Sequence, residues 1–314
     1  MTGSATRGER AHGSAVPAWL RRLLVCPACH ASLRWADEPA CSGCGCRYPV
    51  VDGIPVLLAE DARDDGHKAR QSTHFDHAVA HEFEVERPRG APALYRFLIE
   101  EKLCRSVCAL RPLLPGATAL VVCGGSGMEG EFLARLGARV ICSDLSLGAA
   151  RRAAERARRR GVPFAVLVAD VERLPFADRG VDLVYVHDGL HHLPDPARGL
   201  HEMARVAGQA VSVNEPARAA LTWLAVRLGW ALAREAAGNP VMRLACTEVT
   251  TLLMGHGFAV VHAERYAMHY RHEPGRLCAI LSRRGWLAPT IGSWRLMNAL
   301  LGRFGNKLTV QAVR

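Results

Sequence analysis

Ala119-Leu120-Val121-Val122-Cys123-Gly124-Gly125-Ser126-Gly127 decides the fold. A short run of small and β-branched apolar residues reads as a buried strand, and the glycines behind it read as a turn. Residues 128–136 then carry a helical pattern, and the rhythm repeats outward. Strands are predicted at 139–142, 164–168, 181–186 and 210–213, with helices at 149–160 and 200–206. Strands alternating with helices of this length predict right-handed βαβ units and an α/β fold with a doubly wound, mostly parallel sheet. Residues 305–314 read as the last strand of that sheet, and residues 68–112 are helical in pattern. No internal repeat is present.

The 314 residues allow two domains, or one large domain with an appendage. Apolar residues make up 49% and charged residues 22%, a globular composition that excludes a mainly disordered chain. The longest apolar stretch, residues 221–232, is broken by Arg227, so no membrane span is expected. The N-terminus MTGSATRGERAHGSAVPAWL has basic residues but no apolar core, so a cytoplasmic location is expected. The net charge is +10, from 40 Lys+Arg against 30 Asp+Glu. Its densest run, Arg151-Arg152 to Arg158-Arg159-Arg160, reads as the solvated face and end of one helix. No basic stretch is interleaved with aromatics, so a nucleic-acid partner is not favoured.

Eleven cysteines without an export signal point to reduced thiols and metal rather than disulfides. Cys26-Pro27-Ala28-Cys29 is followed after eleven residues by Cys41-Ser42-Gly43-Cys44. Two such knuckles place four thiolates at the corners of a tetrahedron, the geometry zinc prefers. With Cys26, Cys29, Cys41 and Cys44 as ligands no coordination position stays open, so the zinc is expected to be structural; Cys46 is a spare thiol beside it. Tyr48-Pro49-Val50-Val51-Asp52-Gly53-Ile54-Pro55-Val56-Leu57-Leu58 reads as strand, turn, strand. The expected organisation is a flexible tail at 1–19, a small zinc ribbon at 20–60, a polar linker and helical segment at 61–93, and the α/β domain at 94–314. Across about 37 residues the N-terminal segment resembles the zinc ribbon of the small activator subunit of tRNA and protein methyltransferases. That module is also found fused to bacterial methyltransferases.

Asp144 closes the second strand, 17 residues after Gly127, where a carboxylate can accept both hydroxyls of a ribose. Asp170 closes the third strand in Ala169-Asp170-Val171, where it can accept from an adenine amino group. The fourth strand, Val181-Asp182-Leu183-Val184-Tyr185-Val186, runs into His187-Asp188-Gly189-Leu190-His191-His192. This ordered series, with the HHLPDP turn behind it, resembles the Rossmann-like S-adenosylmethionine-dependent methyltransferases over residues 94–314. The branch it is most similar to contains the ubiquinone and menaquinone C-methyltransferases. The resemblance implies S-adenosylmethionine as cofactor. Cys123, Gly125, Ser126 and Gly127 would then hold its methionine part, Asp144 and Leu145 the ribose side, Asp170 and Val171 the adenine, with His187 beside the methyl. Two positions depart from the pattern. Cys123 stands where the family usually has its first glycine, and Val121 where an acidic residue often sits, leaving that task to Glu129 or water.

Methyl transfer needs positioning, and a base where the nucleophile carries a proton. His187, Asp188 and His191 are the candidates, and Glu215 in Asn214-Glu215-Pro216 stands at the same rim, either meeting substrate or capping the next helix. Residues 217–237 read as a lid helix carrying Trp223 and Trp230, with core packing or a homodimer contact as the other reading. Tyr266, His269, Tyr270, Arg271 and His272 form a polar-aromatic cluster. His74, His77 and His81 share one helix face, which reads as an ordinary face rather than a metal site. The leading expectation is an enzyme that methylates a small-molecule acceptor. An rRNA or tRNA methyltransferase, and a catalytically weak activator of another methyltransferase, are the alternatives.

Overall fold

The computed structural model describes residues 16–76, 81–219, 227 and 241–314. In the N-terminal part, Ala18–Arg21 is a short helix (α1), and Leu33–Arg34 (β1) pairs antiparallel with Ala40–Cys41 (β2). Val50–Val51 (β3) and Ile54–Leu57 (β4) form a hairpin. Its two loop residues, Asp52 and Gly53, have φ of 53° and 79°. That pair of positive angles is what a tight hairpin turn with the right twist demands. Then come Glu60–Asp64 (α2), Gly66–Asp76 (α3), His81–Glu86 (α4) and Ala93–Arg105 (α5). The polar run at 60–66, expected as a linker, is therefore mostly helix. Glu60 and Asp61 in the first turn of α2 meet the positive end of its dipole.

The remaining elements are Thr118–Val122 (β5), Met128–Arg135 (α6), Arg139–Asp144 (β6), Leu147–Arg160 (α7), Ala165–Ala169 (β7) and Val181–His187 (β8). They continue with Pro196–Val206 (α8), Ala207–Pro216 (β9), Cys246–Gly255 (α9), Ala259–Tyr266 (β10), Arg276–Leu281 (α10), Arg284–Leu301 (α11) and Lys307–Val313 (β11). Nine strands join in one sheet in the order β10-β11-β9-β8-β5-β6-β7-β4-β3. The block from β9 to β4 is parallel throughout, and β11 runs antiparallel between β9 and β10. The doubly wound, mostly parallel sheet expected from the sequence is the one observed. Its central strands are near-continuous apolar runs because helices cover both faces. The chain leaves β5 toward β6 on one side and reaches β8 on the other, so the strand order reverses at β5. Open sheets of this kind bind ligands at such a reversal, beyond the carboxyl ends of the strands.

The cysteine-rich segment is built into this sheet. β4 pairs in parallel with β7, and Leu20, Leu24, Tyr48 and Leu57 share a core with Leu120, Ile141 and Phe176. Val16 is already buried, so the chain is packed before the end of the expected tail. The arginine run also departs from expectation. Arg152 and Arg156 of α7 are buried rather than solvated. Arg156 donates to the Ser126 carbonyl at 2.9 Å and to Glu131 at 3.1 Å, while Arg159 pairs with Glu82 and Glu155. Most of the expected lid at 217–237, with Trp223 and Trp230, lies outside the described residues, as does His77.

Candidate active site and metal centre

A cavity of about 1230 Å³ opens at the carboxyl ends of β5, β6, β7 and β8. Cys123, Gly125, Ser126, Asp144, Leu145, Asp170, Val171, His187, Asp188 and His191 line it together, as do Glu129 and the α3 face with Lys68. Gly127 is absent from the lining among the described residues. Its φ is 77° and a Cβ there would come within 2.9 Å of Phe164, so this glycine serves the packing of α6.

The turn after β5 is cradled by Asp144. The Gly125 N–H donates to one carboxylate oxygen and the Ser146 N–H to the other, each at 2.9 Å. Burial raises the Asp144 pKa despite those donors. Cys123 has φ of 51°, the left-handed region that glycine takes without strain. The loop after β8 presses on it, because a Cβ on Gly189 would lie 2.3 Å from the Cys123 Cβ. At the far end, Asp170 accepts from Lys68 at 2.6 Å and from the Glu172 N–H at 2.9 Å. Helix α3 thus lies along the cavity, fixed also by Asp76, which accepts from Ser146 Oγ and the Gly148 N–H at 2.7 Å.

Two histidine–carboxylate pairs stand at the other end; His187, Glu129 and His191 line the cavity, while Glu215 lies behind His191 and is not part of the lining. His187 Nδ1 and Glu129 are 2.8 Å apart, and His191 Nδ1 and Glu215 are also 2.8 Å apart. Such a partner fixes the tautomer and orients the ring. His187 Nε2 is buried with no hydrogen-bond partner among the described residues. Burial and the nearby Lys102 charge lower the His187 pKa, against the pull of Glu129. Glu215 is fully buried and also accepts from the Gly189 and Leu190 N–H groups at 2.8 Å. Its oxygens are engaged in holding the loop that carries His191. Asp188, at φ 54°, pairs with both Lys102 and Lys307. Burial would raise its pKa, but the two ammonium groups hold it well below the usual carboxylate range.

Sequence reasoning missed Lys102, Lys307, Lys68 and Glu84. Lys102 sits on α5 and Lys307 opens β11, far apart in the chain, and Lys102 also donates to the Tyr270 hydroxyl at 2.6 Å. Glu84 on α4 accepts from Ser126 Oγ at 3.1 Å and is paired with Arg87 and His272. Lys68 and Lys102 are the lone lysines of their helices, which is the only signal they give; Lys307 in its strand and Glu84 among the glutamates of α4 give none. Of the expected cluster at 266–272, His269, Tyr270 and His272 reach the cavity, and Tyr266 and Arg271 do not line it.

The four knuckle cysteines converge, with all Sγ atoms within 4.8 Å of one another. Cys26 and Cys44 are 3.6 Å apart and Cys29 and Cys41 are 3.4 Å apart. Tetrahedral zinc thiolates need sulfur separations of about 3.8 Å. The Gly43 and Cys44 N–H groups point at Cys41 Sγ from 3.3 and 3.4 Å, as donors to a thiolate do. Burial raises the Cys41 pKa, but these donors bring it to about 6. The donor set and spacing fit zinc.

Residues 120–210 match the family model described as a methyltransferase domain. Demethylmenaquinone methyltransferase of Thermobifida fusca is 36% identical over 137 residues, covering 40% of this chain and 57% of that protein. The enzyme of the same name from Corynebacterium urealyticum is 42% identical over 94 residues, covering 30% of this chain and 38% of that one. The alignments thus span about half or less of these relatives' lengths. Among solved structures, magnesium protoporphyrin IX methyltransferase of Synechocystis PCC 6803 with bound SAH superposes with a TM-score of 0.55 at 15% identity, covering 79% of this chain and 99% of that one. Its form with bound SAM gives 0.51. The chain therefore shares the Rossmann-like fold of that structure, and its cavity lies where the sheet order reverses. Among the described residues, no helix is long and apolar enough to cross a membrane.

Proposed function

We propose that this chain transfers a methyl group from S-adenosylmethionine to a small-molecule acceptor. The observation that carries the reading is the Asp144 cradle beneath the Gly125 turn, opening into one large cavity with two histidine–carboxylate pairs. Relatives named for demethylmenaquinone support a small, largely apolar acceptor. The cofactor, when bound, supplies an electrophilic methyl on a sulfonium. Asp144 would hold its ribose, Asp170 and Val171 its adenine, and Ser126, Gly125 and Glu129 its methionine end. Glu129 reaches the cavity from α6 and so can serve where Val121 offers no carboxylate.

His187 is the favoured base. Its Nδ1 is tied to Glu129, so its Nε2 can take a proton from an acceptor hydroxyl or acidic carbon. Asp188, held ionised by two lysines, is suited to fixing Lys102 and Lys307 rather than to moving protons. Glu215 orients His191. In the ribbon, Cys26, Cys29, Cys41 and Cys44 would hold one zinc that stabilises the fold. The burial and ion pairing of the α7 arginines support a small molecule over RNA, because they leave little of that run for phosphates. Calorimetry tests the cofactor assignment: Asp144→Ala is expected to weaken S-adenosylmethionine binding by about 1.5 to 3 kcal/mol through lost charge-assisted hydrogen bonds. Unchanged affinity would place the ribose elsewhere.

A further inference from the structure

Helix α11 is 18 residues long, yet none of its residues is buried. Leu287, Ile291 and Trp294, at helical spacing, are half-buried against Leu94, Phe97 and Leu98 of α5. The opposite side is apolar as well. Trp286 is 60% exposed, Leu296 61% and Leu300 66%, and Leu277 on α10 and Phe304 just beyond α11 are exposed too. Eight of the twelve exposed large apolar side chains among the described residues lie between 277 and 304. Isolated surface leucines need no explanation, but a concentration of this kind marks an interaction surface.

Charge identifies what it meets. Residues 274–314 contain no Asp or Glu, but carry Arg276, Arg283, Arg284, Arg295 and Arg303; Arg295 lies over Phe97 on the α5 side and the others are interspersed in sequence with the exposed apolar residues. Trp, Leu and Phe on one face with arginines beside them is the pattern of a helix that lies in a membrane interface, apolar face among the acyl chains and cations at anionic headgroups. The patch is also continuous with the cavity. Leu287, Ile291 and Trp294 pack in the same cluster as Met268 and Tyr270, and those two residues line the cavity.

We infer that α10 and α11 dock the protein on an anionic lipid surface, with the cavity's acceptor end beside the bilayer. The docking does not depend on the methyltransferase reading, since its test uses neither cofactor nor acceptor. The full chain is pelleted with phosphatidylglycerol vesicles and with phosphatidylcholine vesicles. Binding to the anionic vesicles should exceed binding to the neutral ones by roughly tenfold or more and should fall with added salt. Leu296→Ser/Leu300→Ser should lose binding with an unchanged Tm. Arg283→Glu/Arg284→Glu should lose it without touching the apolar face, which keeps the test decisive if the leucine variant misfolds. Equal binding to both vesicle types, or none, overturns the proposal. So does light scattering that shows a dimer which the leucine variant converts to a monomer, because a second copy would then cover the patch.

Discussion

His187 has one nitrogen on Glu129 and the other buried without a partner among the described residues, which suits the proposed role of base. Burial and Lys102 keep its pKa below 6.5, so the neutral ring is the form present at pH 7. A base works only when neutral, so turnover should stay flat from pH 8 to 7 and fall below pH 6.5. His187→Asn should cut kcat by roughly 100-fold or more while leaving S-adenosylmethionine affinity nearly intact. An acid limb above pH 7, or a variant with full kcat, would remove His187 from the role. At the neighbouring position Gly189 the reason for glycine is purely spatial. An added Cβ would meet Cys123 at 2.3 Å, so Gly189→Ala should lower stability by about 1 to 3 kcal/mol in a denaturant titration. That Cys123 stands where the resemblance leads one to expect a glycine was legible in the sequence, but the room that Gly189 leaves for it was not. That depends on a contact across 66 positions.

At the scale of elements, the ribbon hairpin is the most consequential piece. β4 extends the main sheet through β7, and the segment before it contributes Leu20, Leu24 and Tyr48 to the core. If the four cysteines hold the proposed zinc, its loss should therefore loosen the whole molecule and not a separate appendage. Cys29→Ser is expected to release the single zinc by metal analysis and to lower Tm by several degrees, since metal affinity is folding energy in such a site. Stoichiometric zinc retained in a Cys26→Ser/Cys29→Ser protein would refute the ligand set. The strands β5 to β9 and the knuckles were legible because their patterns are local: period, glycine turn, paired spacing. The docking of β4 on β7 was not, because parallel pairing leaves no short-range signature. The edge strand β10 was missed because its residues are only partly buried and include His262, Glu264 and Arg265.

Across the whole molecule, the charged groups that escaped the sequence reading are those that join distant segments. Lys68 reaches Asp170, Lys102 and Lys307 share Asp188, and Glu84 gathers Ser126, Arg87 and His272. Each is one side chain in a helix or strand that gives no hint of its partner. Burial would raise the Glu84 pKa, but His272, Arg87 and Ser126 bring it to about 2. Its folded pKa is depressed, so its contribution is complete above pH 4.5 and disappears as pH falls toward 2. On the order of 2 to 3 kcal/mol of acid-dependent stability should go with it, and Glu84→Gln should flatten that slope in unfolding curves between pH 5 and 2. The purified full chain is incubated with S-adenosylmethionine labelled in the methyl group, in parallel with a bacterial lipid and quinone extract and with total tRNA and rRNA. Label is expected in an organic-extractable small molecule, reduced in Asp144→Ala at subsaturating S-adenosylmethionine, with the RNA fractions unlabelled; label in RNA with none in the extract would overturn the small-molecule reading.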